Sequence, residues 1–290
     1  MIPLNLCDYD EIRELLARHG FHFSKAKGQN FLTKNWVPEQ IVRQSGVGSD
    51  CGVLEVGPGI GPLTKELCGS AGKVVAVELD ETLRPILAET LSGCGNLELI
   101  FGDVLKQDLP ALVREKFAGL RPMACANLPY YITSPILAAL LESRCFEAVT
   151  VMVQKEVAQR ICSKPGSADY SAFTVFCRYY AVPELLFDVP ASCFIPQPKV
   201  TSAVLKLTAR TEPVCEILDE ALFFRVVKAS FAVRRKTLLN GLSMGFPQLG
   251  KDAVSEVLAS CGLSPSVRGE TLGIPEFAAI SNSLFRRLQA

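Results

Sequence analysis

No two of the eleven cysteines stand closer than Cys162 and Cys177, so the paired spacing of a structural zinc site does not occur and no metal is expected. Scattered in this way, the cysteines read as reduced, mostly buried thiols of a cytoplasmic protein rather than as a disulfide framework. No uninterrupted apolar run reaches the roughly 18 residues that a membrane span needs, so no membrane partner is expected. The opening stretch MIPLNLCDYDEIRELLARHG carries acids early and has no apolar core followed by a small-residue cleavage site, so it is not expected to be a signal peptide. Neither sign of charge is in excess: Lys+Arg and Asp+Glu number 30 each. Histidine is nearly absent, and His19 and His22 are assigned no role. There is no internal repeat and no low-complexity tract.

What is present is an ordinary globular balance, 49% apolar and 21% charged, on a chain of 290 residues. That length suits one large domain, or one with a smaller companion. The neutral total hides an asymmetry. From residue 190 to 290 there are 12 Lys+Arg against 8 Asp+Glu, or +4, which leaves 18 against 22, or −4, before it. The tail half is therefore the expected polyanion face.

Apolar segments rich in β-branched residues recur at helix-sized intervals: GVLEVG (52–57), KVVAVELD (73–80), LELIFGD (97–103), MACANL (123–128) and AVTVMVQ (148–154). Helix-like stretches such as PLTKELCG and ETLRPILAETL lie between them. Nearly continuous apolar strands alternating with helices predict an α/β fold, a parallel sheet covered on both faces, with its ligand at the carboxyl ends of the strands. Beyond this come a helix, QKEVAQRI (154–161), a polar loop, CSKPGSADYS, and a second helix, AFTVFCRYYA. Two more strands, ELLFDV and TSAVLKLTA, flank PASCFIPQPKV, where prolines are expected to forbid regular structure. From about residue 213 the pattern turns helical, with CEILDEALFFRVVKASFA and DAVSEVLASCG. The expected division is a sheet domain over 1–210 and a small all-helical domain over 211–290.

The first strand closes on LEVGPGIG, with Gly57, Gly59 and Gly61, and Pro62 can open the following helix. Glycines there let a ligand approach the backbone. The third glycine comes one residue too early for G-x-G-x-x-G. Glu78 ends the second strand, where a carboxylate can accept both hydroxyls of a ribose, and Asp103 ends the third, where one can accept from an adenine amine. An adenosine-containing ligand follows, and both NAD and S-adenosylmethionine (AdoMet) qualify. The shortened pattern after an acid, E-V-G-P-G-I-G from Glu55, resembles class I AdoMet-dependent methyltransferases more than dehydrogenases.

The fourth strand ends on ANLPYYITSPIL, which places Asn127 and Tyr130 beside the glycine loop. An exocyclic amine of a nucleobase is a poor nucleophile because its lone pair is delocalised into the ring. Two acceptors, the Asn127 side-chain oxygen and the Leu128 carbonyl, would bind its hydrogens and aim the lone pair at a methyl group. Pro129 fixes the backbone, and Tyr130 offers a surface on which the base can stack. This stretch resembles the N/D/S-P-P-Y/F signature of amino methyltransferases, in the N-L-P-Y variant of enzymes that methylate adenine N6 in ribosomal RNA.

The order KGQNFL (27–32), LEVGPGIGPLT, VELD, GD (102–103), NLPYYITSPI, FIPQPKVTSAV and FAVRRKTLLNGL resembles the small-subunit rRNA adenine dimethyltransferases, the KsgA/RsmA type, from about residue 9 to the end. The resemblance implies a Rossmann-like AdoMet domain and transfer of four methyl groups to two adjacent adenines in a hairpin loop near the 3′ end of small-subunit rRNA. The partner it implies is that rRNA within a small ribosomal subunit or its precursor, and the default state is a monomer. Position by position it implies that Gln29, Asn30 and Leu32 line the cofactor entrance and that Gly57 approaches the methionine part. Glu78 and Asp103 would hold ribose and adenine, and Asn127 and Leu128 would orient the target amine. Tyr130 and Phe194 would stack on its base. Arg234, Arg235 and Lys236, with Lys228 and Arg225 a turn or two earlier, become phosphate contacts. Two rivals stand beside this reading: an enzyme of the same fold that methylates large-subunit rRNA, usually with isoleucine where Leu128 stands, and a non-catalytic RNA-binding assembly factor.

Overall fold

In a computed structural model, which describes residues 4–23 and 28–289, the chain divides into two compact units. One comprises 1–158 with 182–209, the other 159–181 with 210–290. Lys27 of the KGQNFL motif lies outside the described residues.

The first unit holds strands β1 (Phe31–Leu32), β2 (Cys51–Val56), β3 (Lys73–Glu78), β4 (Leu97–Phe101), β5 (Arg121–Asn127), β6 (Ala148–Gln154), β7 (Ala181–Val189), β8 (Phe194–Ile195) and β9 (Ser202–Ala209). Its helices are α1 (Tyr9–Arg18), α2 (Trp36–Ser45), α3 (Pro62–Ser70), α4 (Arg84–Thr90), α5 (Leu109–Lys116) and α6 (Thr133–Glu142), and α7 (Lys155–Cys162) begins in it. Seven strands form one sheet in the order β4-β3-β2-β5-β6-β9-β7. The first five run parallel and β9 pairs antiparallel with β6. The sheet is thus mixed rather than purely parallel. Every residue of β2 is buried, and so is every residue of β3 after Lys73, which leaves no solvated face and explains the unbroken apolar runs. Alternate side chains meet different cores. Val53, Val74 and Met123 pack with Val37 and Ile41 of α2 and Leu63 and Leu67 of α3. A second cluster gathers Leu15 of α1 and Ile86 and Leu87 of α4 around Ile60 and Phe31.

Chain direction sets the site. From β2 the chain steps outward through β3 to β4, then returns across the sheet to β5 on the other side of β2. The carboxyl ends of β2 and β5 therefore flank the point where strand order reverses, the usual ligand crevice of such sheets. Those ends are Val56, followed by the glycine loop, and Asn127.

The short ladder of β1 with β8 corrects one expectation. Phe31 faces Ile195 and Leu32 faces Phe194 in a two-stranded sheet inside the stretch thought too proline-rich for regular structure. The prolines are at 190, 196 and 198, so the paired residues keep the N–H groups a ladder needs.

The second unit contains α8 (Ala172–Tyr180), α9 (Glu220–Ala232), α10 (Leu238–Gly245), α11 (Gly250–Ser260) and α12 (Ile274–Gln289). The single boundary expected at 210 is corrected by α8, which belongs here. Val175 and Tyr170 share a core with Phe223, Val227, Leu242, Phe246 and Phe277, and the hydroxyls of Tyr179 and Tyr180 donate to Glu220 at 2.9 and 2.7 Å. α9 also starts later than its apolar pattern suggests. Asp219 caps it by accepting from the Leu222 N–H, and residues 216–218 are held outside the helix by Asn282, which donates to the Glu216 carbonyl and accepts from the Leu218 N–H.

Candidate active site

A cavity opens at the strand-order reversal, where sheets of this kind hold small-molecule ligands. Its floor is the β2–α3 turn. Gly57 has φ +70°, a left-handed conformation that disfavours side chains, and the space a Cβ would take holds no atom within 4 Å. The cavity reaches the backbone there. Gly61, at φ +95°, caps α3 with Pro62 in its first turn, and a Cβ at Gly61 would stand 2.8 Å from a Leu91 methyl.

The wall is acidic. Glu55, Glu78, Asp80 and Asp103 all line the cavity, and no Lys, Arg or His does so among the described residues. Glu78, at the end of β3, is tied at both oxygens: Oε2 accepts from the Gly59 N–H at 3.1 Å and Oε1 from the Asp80 N–H at 2.8 Å. Burial raises its pKa, and those two N–H groups work against the rise. Each oxygen keeps a further lone pair for a ligand hydroxyl. Asp103 spends one oxygen capping the turn Val104–Lys106 through the Leu105 N–H. Glu55 differs from both. It is 1% exposed, its Oε2 has no hydrogen-bond partner, and burial, reinforced by the charge of Glu78, pushes its pKa up to about 8.

On the other side Gln29 donates to Asp80 at 2.7 Å and Asn30 donates to the Gly28 carbonyl at 3.0 Å. The Asn127 amide donates to the Asn30 carbonyl at 3.3 Å, which fixes the side chain through its nitrogen and leaves its oxygen as an acceptor. Leu128 is buried, with its N–H committed to the Met152 carbonyl. Tyr130 sits in the turn Tyr130–Ile132, its hydroxyl hydrogen-bonded to that of Ser202 at 2.6 Å.

The structure thus brings Gln29, Asn30, Leu32, Gly57, Glu78, Asp103, Asn127, Leu128 and Tyr130 to one cavity. Phe194 is not among its lining residues. It is 4% exposed and packs into the core with Leu32, Val37 and Val189, because alternation along β8 turns it to that core while Ile195 meets the other. Glu55, Asp80 and Tyr131 also line the cavity; the sequence assigned them no contact there, although each sits inside a motif: the acid before the glycines, the end of VELD, and the second tyrosine of PYY.

The basic triplet is split. Arg234 is engaged within the second unit, where its guanidinium pairs with Glu270 at 3.2 Å and donates to the carbonyls of Ala168 and Tyr170. Arg225 lies over the Phe246 ring at 4.7 Å. Arg235 and Lys236 are exposed in the turn between α9 and α10. No helix among the described residues is long and apolar enough to cross a membrane.

A cavity with a glycine cradle and the carboxyl groups of Glu78, Asp80 and Asp103 in its wall suits a ligand that carries net positive charge together with hydroxyls and an amine. AdoMet has all of these.

Comparison with known proteins agrees with this. Residues 20–274 match the family described as "Ribosomal RNA adenine dimethylase". The chain is 48% identical over 276 residues to "Ribosomal RNA small subunit methyltransferase A" of Geobacillus thermodenitrificans, covering 94% of each protein. Among solved structures it resembles a dimethyladenosine transferase from Plasmodium falciparum, with TM-score 0.74 and 24% identity over 88% of this chain and 98% of that one, a likeness of fold. It also resembles the 23S rRNA methyltransferase ErmE, with TM-score 0.66 and 27% identity, covering 88% and 99%.

Proposed function

Since this chain belongs to the ribosomal RNA adenine dimethylase family, we propose that it transfers methyl groups from AdoMet to N6 of two adjacent adenines in a hairpin loop near the 3′ end of small-subunit rRNA. The observation that carries the reading is the meeting of Asn127 and Leu128 with Gly57, Glu78 and Asp103 in one cavity at the switch between β2 and β5. The small-subunit assignment is supported by 48% identity to the relative named for that subunit, against 27% to the one named for 23S rRNA. Leu128 also stands where the large-subunit enzymes usually carry isoleucine. Intact carboxylates at the cofactor positions argue for an enzyme over a non-catalytic binder.

AdoMet, when bound, supplies an electrophilic methyl group on sulfur. The protein's part is placement. Glu78 accepts from the ribose hydroxyls and Asp103 from the adenine amine, while Gly57 lets the methionine part approach the backbone and Gln29, Asn30 and Leu32 close the entrance. The Asn127 oxygen and the Leu128 carbonyl accept the two hydrogens of the unmethylated amine, or the one left for the second transfer, which favours a pyramidal nitrogen with its lone pair directed at the methyl carbon; the S–C bond breaks as the N–C bond forms, and the nitrogen then gives up a proton to water. Tyr130, held by Ser202, presents its ring to the base. The reading needs no strong general base and no metal, because the donor is already activated and alignment supplies much of the rate.

The second unit serves recognition in this reading, with Arg235 and Lys236 as phosphate contacts. A loop target suits the chemistry, since an unstacked base exposes its amine at lower cost than a paired one. The test is mass spectrometry of rRNA fragments after reaction of unmodified small subunits with AdoMet. Four added methyl groups on two neighbouring adenines near the 3′ end are expected; methylation confined to large-subunit rRNA, or none, defeats the reading.

A further inference from the structure

Tyr131 has no role in the arrangement above, and its surroundings differ from those of its neighbour. The Tyr130 ring is partly buried and its hydroxyl is tied to Ser202. Tyr131 is 58% exposed although it lines the same cavity as Asn127 and Leu128, so it lies at the mouth. Its ring rests on the chain opposite. A Cβ built on Gly28 would stand 3.0 Å from Tyr131 Cδ1 and 3.2 Å from Cε1, and 3.6 Å from the Pro129 Cβ. The ring thus lies close to Gly28 and is more than half exposed.

A lone exposed aromatic needs no explanation on most surfaces. This one stands three residues beyond Leu128 in a turn that proline introduces, on the cavity that Asn127 and Leu128 also line. Drawing one base into the cavity strips its neighbour of a stacking partner. When two adjacent adenines must each occupy the cavity in turn, the one outside also changes identity, so a support for it must tolerate either register. A planar ring meets both needs, because stacking on an aromatic is largely independent of sequence.

We infer that Tyr131 is a second stacking platform, which holds the nucleobase next to the target while the target occupies the cavity. The inference rests on the two-adenine reading given above. Tyr131 touches neither the amine nor the methyl group, and it is a positioning residue.

The test uses the full-length enzyme, unmethylated small ribosomal subunits and labelled AdoMet, with Tyr131→Ala, Tyr131→Leu and Tyr131→Phe. Loss of one stack should raise KM for subunits about 10-fold in the Ala and Leu variants. Their kcat and their affinity for AdoMet should stay within about twofold of wild type, and Phe should restore KM, since only the ring is needed. At equal total methyl transfer, fragments with both adenines modified should be scarcer for Tyr131→Ala than for wild type. Wild-type KM and product distribution in Tyr131→Ala, beside an inactive Asn127→Ala, would overturn the platform and leave the proposed function standing. Failure of Phe to rescue, or loss of AdoMet affinity in the Ala variant, overturns it as well. If wild-type enzyme leaves small subunits unmodified, the underlying reading fails and the platform with it.

Discussion

The cavity of the first unit and the α9–α10 turn of the second both concentrate charge, but they hold it in opposite ways. In the cavity the charges are carboxyl groups, buried or bound to backbone N–H groups, with no cation beside them among the described lining residues. In the turn they are cations: Arg234 is tied into the structure by its ion pair with Glu270, while Arg235 and Lys236 are exposed. A buried carboxyl group costs stability unless it is paired or neutral, so it persists where a ligand repays the cost. An exposed cation costs almost nothing and acts at a distance through its charge on a polyanion. The contrast fits the two molecules of the proposed function: a small cationic cofactor and a large polyanion.

The largest effect expected of breaking this contrast lies on the cavity side. Asn127→Ala removes one of two acceptors for the amine and should lower kcat about 10²–10³-fold, the scale of a lost transition-state hydrogen bond. AdoMet affinity, measured by calorimetry, should change far less; equal losses of both would assign Asn127 to the cofactor alone.

Glu55 comes next. Its folded pKa of about 8 lies above the unfolded carboxyl value, so the folded state keeps a proton that the unfolded state has lost. The stability that proton provides is complete below the unfolded value and is lost as pH rises through about 8. Without ligand the protein should therefore lose stability between acid and mildly alkaline pH, and Glu55→Gln should flatten that slope in thermal melts. An unchanged slope in the Gln variant would show that Glu55 ionises elsewhere in the pH range.

On the cationic side, replacing Arg235 and Lys236 together by Ala should raise KM for small subunits about 10-fold at moderate salt and leave kcat alone. The log–log dependence of binding on salt should become shallower by about 1–2. Arg234→Ala should behave otherwise. It should cost about 1 kcal/mol of stability, modest because the side chain is 45% exposed, and leave the salt slope unchanged. A reversal of these two outcomes in denaturation and filter-binding measurements would exchange the roles within the triplet.

The same contrast explains how far the sequence could be read. The five parallel strands and the glycine loop were legible because burial on both faces writes unbroken apolar runs, and the acids end those runs. Asn127 and Tyr130 followed from their place at the end of one such run. The burial of Phe194 was not legible, because its direction is set by pairing with Leu32, more than 160 residues earlier, and prolines on either side mask a two-residue strand. The membership of α8 in the second unit depends on Glu220 meeting Tyr179 and Tyr180, and the anchoring of Arg234 depends on Glu270. Neither pairing leaves a periodic trace. The late start of α9 was partly visible in Asp219, a good cap, but the apolar residues Cys215 and Ile217 before it imitate helical spacing while packing as a strap held by Asn282.

The central claim is that methyl transfer is decided in the cavity and docking in the turn. Single-turnover methylation of small subunits, at saturating AdoMet and saturating subunit, separates the two in one experiment. The account predicts a rate reduced at least about 100-fold for Asn127→Ala and a near wild-type rate for the Arg235→Ala, Lys236→Ala pair. Comparable slowing of both at saturation would contradict it.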